Sequence, residues 1–194
     1  DGEDVFGKAV KRGNVGLVKW FDSNTHLSMA ILNSAALIAV DTAQWKLVSH
    51  FCKTYPLRQH NYKSILVLAA EGGQLELTRS LCENIIKRLQ GKILLQAFVC
   101  ASANGHTDVM QFLWDFNSQA VGITMVAHSF KRAAQFQCLK SIEFLGNLVE
   151  SPLVLKAVEG ALLHAVTHNR VAVIRQICSL THPPSLRAIE KAFL

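Results

Sequence analysis

Small and large apolar residues recur along the chain at nearly constant distances. Alanines follow one another at intervals of 30, 30, 32, 32 and 32 residues, at Ala9, Ala39, Ala69, Ala101, Ala133 and Ala165. Twelve positions after each alanine comes a large apolar residue: Phe21, Phe51, Leu81, Leu113, Leu145 and Ile177. A period of about 30 to 34 residues is typical of stacked supersecondary units, in which each unit contacts only its neighbours.

Each period predicts two short helices joined by a tight turn. In the clearest copy, one apolar helix face lies over 97–101, and a second lies over 109–116 with helical spacing. Gly105 is predicted to end the first helix, because glycine adopts the left-handed conformation without a Cβ clash. Thr107 is predicted to be the N-cap of the second helix, because its hydroxyl accepts a hydrogen bond from a free backbone N–H.

The residue at the turn differs from unit to unit. The column reads Gly13, Ala43, Gly73, Gly105, Gln137 and Asn169. Glycine and asparagine accept positive φ readily, whereas alanine and glutamine do so at an energetic cost. We therefore expect the turns at Ala43 and Gln137 to be looser or differently built.

These patterns predict an all-α fold, an α-solenoid of about six stacked helix-turn-helix repeats in one domain over 1–194. The expected units are 4–22, 28–52, 63–83, 94–116, 127–146 and 152–179, with a partial seventh helix over 184–194. Ser151 and Pro152 are predicted to be the N-cap and first residue of a long helix. Because the last helix lacks an obvious polar outer face, we expect either a longer parent protein or a terminal helix that acts as a cap.

Two segments carry a family resemblance. Residues 66–77 and 101–113 resemble the first-helix and turn signature of ankyrin repeats. The match extends to 9–21, 39–51, 133–145 and 165–177, and it is weak in the second and fifth units. The Thr-Pro-Leu-His opening and the Gly-Ala-Asp hairpin finger of that family are missing, so we expect helical turns or loops in place of β-hairpins. HEAT-type stacking is the structural alternative, although HEAT repeats are usually longer.

The resemblance also implies where a partner would bind. In ankyrin-like stacks the residues before the turn project from the first helix onto a concave surface. The expected partner-binding residues are Lys11, Arg12, Asp41, Thr42, Lys63, Glu71, Asn104, Gln135, Phe136, Thr167 and His168. Phe136 is the strongest candidate hot spot, unless the irregular fifth unit turns it inward. The expected function is protein–protein recognition, in a module similar to those of secreted effectors that act on host proteins in the host cytoplasm.

The formal net charge of +6 leaves a second possibility open. Basic residues cluster at Lys87, Arg88 and Lys92, and again at Lys131, Arg132 and Lys140. Neither cluster is interleaved with aromatic residues in the way of a single-strand nucleic-acid platform, so we interpret both as solvated faces. Binding of nucleic acid or anionic lipid is the alternative function.

The five cysteines include no CxxC pair, and three of them occupy one repeat position: Cys52, Cys82 and Cys178. Such thiols are expected to be core residues in a reducing, intracellular compartment, without disulfides. The tryptophans Trp20, Trp45 and Trp114 lie in or beside apolar columns and are expected to be packing residues.

Catalytic motifs are weak in this sequence. His164, His168, Cys178 and His182 include zinc-ligand residue types, which leaves a zinc-dependent site as a further alternative. However, the HxxxH spacing lacks the glutamate of HExxH, so we interpret these histidines as ordinary helix residues. We find neither a GxSxG nor a Walker motif, and we expect a non-enzymatic monomer without a cofactor.

Overall fold

A computed structural model of the chain describes residues 2–84, 91–148 and 152–193. Secondary structure in these ranges is helical, and no β-strand occurs in them, which confirms the predicted all-α class. The helices are α1 (Gly2–Lys11), α2 (Val15–Asn24), α3 (Met29–Asp41), α4 (Trp45–Thr54), α5 (Gln59–Glu71), α6 (Leu75–Asn84), α7 (Gly91–Asn104), α8 (Thr107–Phe136), α9 (Leu139–Leu148), α10 (Pro152–Thr167), α11 (Val171–Cys178) and α12 (Leu186–Phe193). None of the described helices is long and apolar enough to cross a lipid bilayer.

Helix α8 consists of two helical parts. Asn117 is extended and Gly122 has a φ of 63°, so the helix is interrupted between the segment before Asn117 and the segment after Gly122. The first part corresponds to the second helix of the predicted fourth unit, and the last part to the first helix of the fifth. The described segment between these units thus joins them without a β-hairpin, in agreement with the expectation of helical turns or loops.

All six turn residues have the same left-handed backbone conformation. Their φ angles are 68° at Gly13, 54° at Ala43, 67° at Gly73, 82° at Gly105, 59° at Gln137 and 52° at Asn169. The expectation that Ala43 and Gln137 would form different turns was wrong. The hydrogen bonds that close these turns require the left-handed conformation whatever side chain is present.

Those hydrogen bonds involve the periodic alanines. The N–H of Gln44 donates to the carbonyl of Ala39 at 2.7 Å, and the N–H of Ala43 donates to the carbonyl of Val40 at 2.9 Å. This pair of bonds is the Schellman motif, in which the chain folds back onto the last carbonyls of the helix. Equivalent pairs close the turns that follow α1, α8 and α10. The periodic alanines thus pack in the core, and their carbonyls also accept hydrogen bonds that close the turns.

The apolar columns are buried as the period predicts. The six alanines are at most 3% exposed, and the six large residues twelve positions later are at most 7% exposed. Trp20 is an exception to the packing prediction, because its side chain is 54% exposed. Neighbouring residues on a helix point about 100° apart, so Trp20 does not share the buried face of Phe21. The two rings contact each other edge to face. Trp45 and Trp114 are half-buried.

The chain forms two compact units. The first comprises residues 1–69 and 76–88. In it, α1 packs against α2 and α3, and α3 packs against α4. A buried amide pair joins α3 to α5, because Asn61 Nδ2 donates to Asn33 Oδ1 at 2.8 Å.

The second unit comprises residues 70–75 and 89–194. Helix α8 packs against α7, α9 and α10, while α10 also packs against α11 and α12. This division does not test the expected single domain, which stays a prediction.

The structure also refines several helix ends. His106, not Thr107, is the N-cap residue of α8, and the helix begins at Thr107 itself, so the predicted cap was one residue too late. Helix α10 begins at Pro152 and is 16 residues long, in agreement with the prediction, whereas Ser151 lies outside the described residues. Helix α12 falls within the expected 184–194, and its start is capped by Ser185 Oγ, which accepts a hydrogen bond from the Ala188 N–H at 3.2 Å.

Candidate functional site

The candidate site lies at the ends of three helices of the second unit. Helices α7, α8 and α10 each end in a left-handed turn. The residues before these turns form what we call the second-unit ridge: Asn104, Gln135, Phe136, Thr167 and His168. Four of them are exposed, and Gln135 is half-buried.

Neighbouring turns in this unit are tied together by side chains that follow the turn residue. The thiol of Cys138 donates to the carbonyl of Ala103 at 2.8 Å. Arg170 Nη1 donates to the carbonyl of Ala134 at 2.9 Å and also to the carbonyl of Gln135. The end of α8 is thereby held against the end of α7, and the end of α10 against the end of α8.

A third contact of this kind uses packing. The imidazole of His106 lies so close to Gly73 that a Cβ at residue 73 would lie 2.6 Å from His106 Nδ1. The position after each turn is polar or reactive throughout the sequence: Asn14, Gln44, Gln74, His106, Cys138 and Arg170. That recurrence was the available sign of these contacts, and the sequence interpretation missed it.

Phe136 projects outward from the last turn of α8. Its side chain is 55% exposed, so the alternative that it turns inward is wrong. The guanidinium of Arg132, one turn earlier, lies 4.7 Å from the centre of the Phe136 ring, which is a cation–π contact. The aromatic residue next to this basic cluster is therefore Phe136, because a helix brings residues four apart onto one face.

The ridge residue His168 stacks on His164, which lies in the last turn of α10. The rings of His164 and His168 lie 4.1 Å apart at 24°. His168 Nδ1 lies 2.9 Å from the carbonyl oxygen of His164. Burial of the His164 imidazole lowers its pKa, and electrostatic interactions with His168, Arg170 and Lys131 lower it further. His164 thus lies in a cationic environment.

Positive charge predominates around the ridge. Lys131, Arg132 and Arg170 all lie beside it, and Lys131 and Arg170 act on the same imidazole. Further along, Cys100 lies near both Glu71 and Arg132. Burial raises the pKa of its thiol, Glu71 raises it further, and Arg132 lowers it. The surface thus combines an exposed phenyl ring with several cations.

No family model, curated protein or solved structure matches the chain. The resemblance to ankyrin repeats therefore rests on the two quoted segments.

The first-unit residues that were expected to bind a partner lie at the ends of α1 and α3 or within α5. Lys11, Arg12 and Asp41 are exposed, and Lys63 is half-buried. Thr42 is half-buried, and its hydroxyl donates to the carbonyl of Ile38 at 2.7 Å. Thr42 is therefore the C-cap residue of α3. Glu71 belongs to the second unit and is exposed.

The first unit contains one polar cluster that the sequence interpretation missed. His50 Nε2 lies 2.7 Å from Asp22 Oδ2, and both side chains are mostly buried. His50 Nδ1 lies 3.4 Å from the hydroxyl of Thr54. Burial raises the pKa of Tyr55 nearby, and its hydrogen bond to Asp22 raises it further. The short contact joins α2 to α4.

The zinc alternative gains no support from the described geometry. Among the residues that the structure describes, no group of three or more His, Cys, Asp or Glu side chains could hold a metal ion. Cys178 is exposed, so the expectation of a buried thiol was wrong there. Helix α11 ends at Cys178 itself, so no further turn of that helix follows to cover the thiol.

The other thiols of that repeat position fit the core prediction better. Cys82 is buried and Cys52 half-buried, and burial raises the pKa of each to about 12. All five cysteines are free. Of the basic residues, Lys92 and Lys140 are exposed, whereas Lys87 and Arg88 lie outside the described residues.

Proposed function

We propose that this chain is an ankyrin-like α-solenoid module that binds a partner protein through the second-unit ridge. The observation that carries the proposal is Phe136, an aromatic side chain that is 55% exposed and lies against Arg132. Exposed aromatic and arginine residues on a firmly held surface are the typical hot spots of protein interfaces. The bonds from Cys138 and Arg170 to neighbouring turns hold this surface firmly.

The repeat architecture is supported by local geometry. Left-handed turns recur at the six predicted positions, and the alanine before each is buried. In the second unit, consecutive helix pairs also pack against one another. Stacked helix pairs with short second helices fit an ankyrin-like array better than the longer HEAT units.

The chemistry of the ridge favours a partner segment with carboxylate groups beside an apolar or aromatic residue. The carboxylates would approach Lys131 and Arg132, and the apolar residue would cover the Phe136 ring. Such a charge arrangement raises association rates and selects against basic partners. An intracellular location, including the cytoplasm of a host cell, is the setting we propose, since the buried thiols suit a reducing compartment.

The proposal is tested by comparing Phe136→Ala with Trp20→Ala. The two aromatic side chains are almost equally exposed, at 55% and 54%, and Trp20 lies in the first unit, on a second helix. A partner captured from cell lysate should be lost with Phe136→Ala, at a cost of about 2 kcal/mol or more, and retained with Trp20→Ala. A photo-crosslinking phenylalanine analogue at residue 136 should label the same partner. Equal capture by both variants and the wild type would refute the proposal.

A second candidate function has one specific observation in its favour. The Arg132–Phe136 contact places a cation and an aromatic ring together, as in surfaces that bind single-stranded nucleic acid. If this function is correct, a labelled oligonucleotide should bind wild type with an affinity that falls steeply with salt, and both Arg132→Gln and Phe136→Ala should weaken binding. This second function would be excluded if a protein partner is captured from nuclease-treated lysate and the chain binds no oligonucleotide.

A further inference from the structure

A groove lies between α10 and α12, on a different helix pair from the ridge. Its volume is about 500 Å³. One wall is a single face of α10, formed by residues at spacings of i, i+3, i+4 and i+7 from Lys156 to Leu163, and the other wall is α12 with its capping residue Ser185. The opposite side of α10, which includes Val158 and Leu162, is buried. The groove is therefore a second surface of this helix, open to an external molecule.

The charges of the groove are mostly positive. Lys156, Arg187 and Lys191 line it. Among the described residues, none of these three cations lies within ion-pair distance of a carboxylate. The one acidic lining residue, Glu159, already accepts a hydrogen bond from the hydroxyl of Ser185 at 3.0 Å. With three cations and one carboxylate, the lining of the groove has a net charge of about +2. Such a surface attracts an acidic molecule.

Gly160 gives independent evidence of what the groove accommodates. It lies in the interior of α10, where glycine is destabilising relative to alanine. No atom lies within 4 Å of the place that its Cβ would occupy, so no contact among the described residues requires a glycine here. The missing side chain leaves room for an external backbone to approach α10 closely. Leu163, one turn further along, is 43% exposed and offers an apolar contact beside that space.

We propose that the α10–α12 groove binds an acidic, amphipathic segment of a partner protein. Its aliphatic side chains would pack over Gly160 and against Leu163. Its carboxylates would pair with Lys156, Arg187 and Lys191. This proposal is independent of the second-unit ridge, because neither Phe136 nor Arg132 lines the groove.

The first experiment selects ligands without assuming their sequence. A phage-displayed library of random 12-residue peptides is panned on the wild-type chain and counter-selected on Gly160→Leu, whose side chain would fill the groove. We expect enrichment of peptides that contain several Asp or Glu residues with Leu, Ile or Val at helical spacing. Failure to enrich any peptide that distinguishes the two proteins, or enrichment of basic peptides, would overturn the proposal.

The second experiment separates binding from folding. A selected peptide is titrated by fluorescence anisotropy against Gly160→Ala and against Gly7→Ala, which also removes a helix glycine whose Cβ would meet nothing. Both substitutions should raise the melting temperature, but only Gly160→Ala should weaken binding, by about tenfold, as expected when a well-packed contact is overfilled. Unchanged binding by a more stable Gly160→Ala protein would overturn the proposal.

Charge is tested in the same assay. The double variant Arg187→Gln with Lys191→Gln should weaken peptide binding about tenfold or more and reduce its salt dependence. Lys140→Gln, which removes an exposed lysine outside this groove, should leave it unchanged. Phe136→Ala should also leave peptide binding unchanged, which separates this groove from the ridge.

A lipid surface is the competing occupant. If vesicles of phosphatidylcholine and phosphatidylserine bind the wild type but not Gly160→Leu, while no peptide binds, the occupant is a lipid surface and the proposal is wrong.

Discussion

The turns at Gly73 and Gly105 allow a matched test of how the helix pairs are joined. Both glycines have left-handed φ angles, 67° and 82°. Alanine in this conformation lowers the free energy of unfolding by about 1–2 kcal/mol. The lower entropy of the unfolded alanine chain raises it by about 0.4–1 kcal/mol. The backbone effect of either Gly→Ala substitution is therefore a destabilisation of about 1 kcal/mol.

The two sites differ in what the new Cβ would meet. At Gly105 no atom lies within 4 Å of that position, whereas at Gly73 the Cβ would lie 2.6 Å from His106 Nδ1 and 3.0 Å from His106 Cγ. Contacts that short are not tolerated, and the atoms affected include the base of the ring, so the whole imidazole must move. Overpacking of this kind adds about 1–3 kcal/mol. We expect Gly73→Ala to cost about 2–4 kcal/mol and Gly105→Ala about 1 kcal/mol.

The assay is urea unfolding followed by circular dichroism at 222 nm. The slope of the unfolding free energy against urea concentration should be the same for each variant as for the wild type. A double-mutant cycle with His106→Ala isolates the steric part, since removal of the imidazole should bring the cost of Gly73→Ala close to that of Gly105→Ala. The reasoning is refuted if the two glycine substitutions cost the same, or if His106→Ala leaves their difference intact.

Three further predictions follow from single sites. Ala43→Gly should stabilise the fold by up to about 1 kcal/mol, because it removes left-handed strain at the cost of unfolded-state entropy; a melting temperature at or below that of the wild type would contradict this. At about pH 8, a thiol reagent should modify the exposed Cys178 quickly and the buried Cys82 only on unfolding, since burial raises the pKa of Cys82 to about 12. The pKa of His164 is lowered below its usual 6.5, so the folded state disfavours its protonation and stability falls as the pH drops below that value. His164→Gln should therefore lose less stability than the wild type between about pH 7.5 and about pH 5, as measured by urea unfolding.

The burial of the periodic columns was predictable because it depends on local helical geometry. An alanine and a large apolar residue twelve positions later recur with the unit, and each lies on the face of its helix that points to the neighbouring helices. The turn positions followed from the same spacing. Their common conformation did not follow from residue type, because hydrogen bonds to the preceding helix outweigh the conformational preference of Ala43 and Gln137.

Side-chain exposure was less predictable, because it depends on which distant helices cover a position. Trp20 and Phe21 are adjacent and both aromatic, yet one is half exposed and the other is buried. Phe136 was ambiguous for the same reason, and Cys178 was assigned to the core although it is the last residue of α11. In each case the apolar character is encoded locally, and the cover comes from residues far away in the chain.

The sequence by itself determined the helical class, the positions of the turns and the buried alanine column, since these depend on a spacing that a single chain segment carries. Only the tertiary structure decided that Phe136 is exposed, that Arg170 bonds to the end of α8, and that Gly160 lines an open cationic groove. These arrangements depend on the packing of one helix against another and on side-chain rotamers. Neither is encoded in the period of the apolar residues.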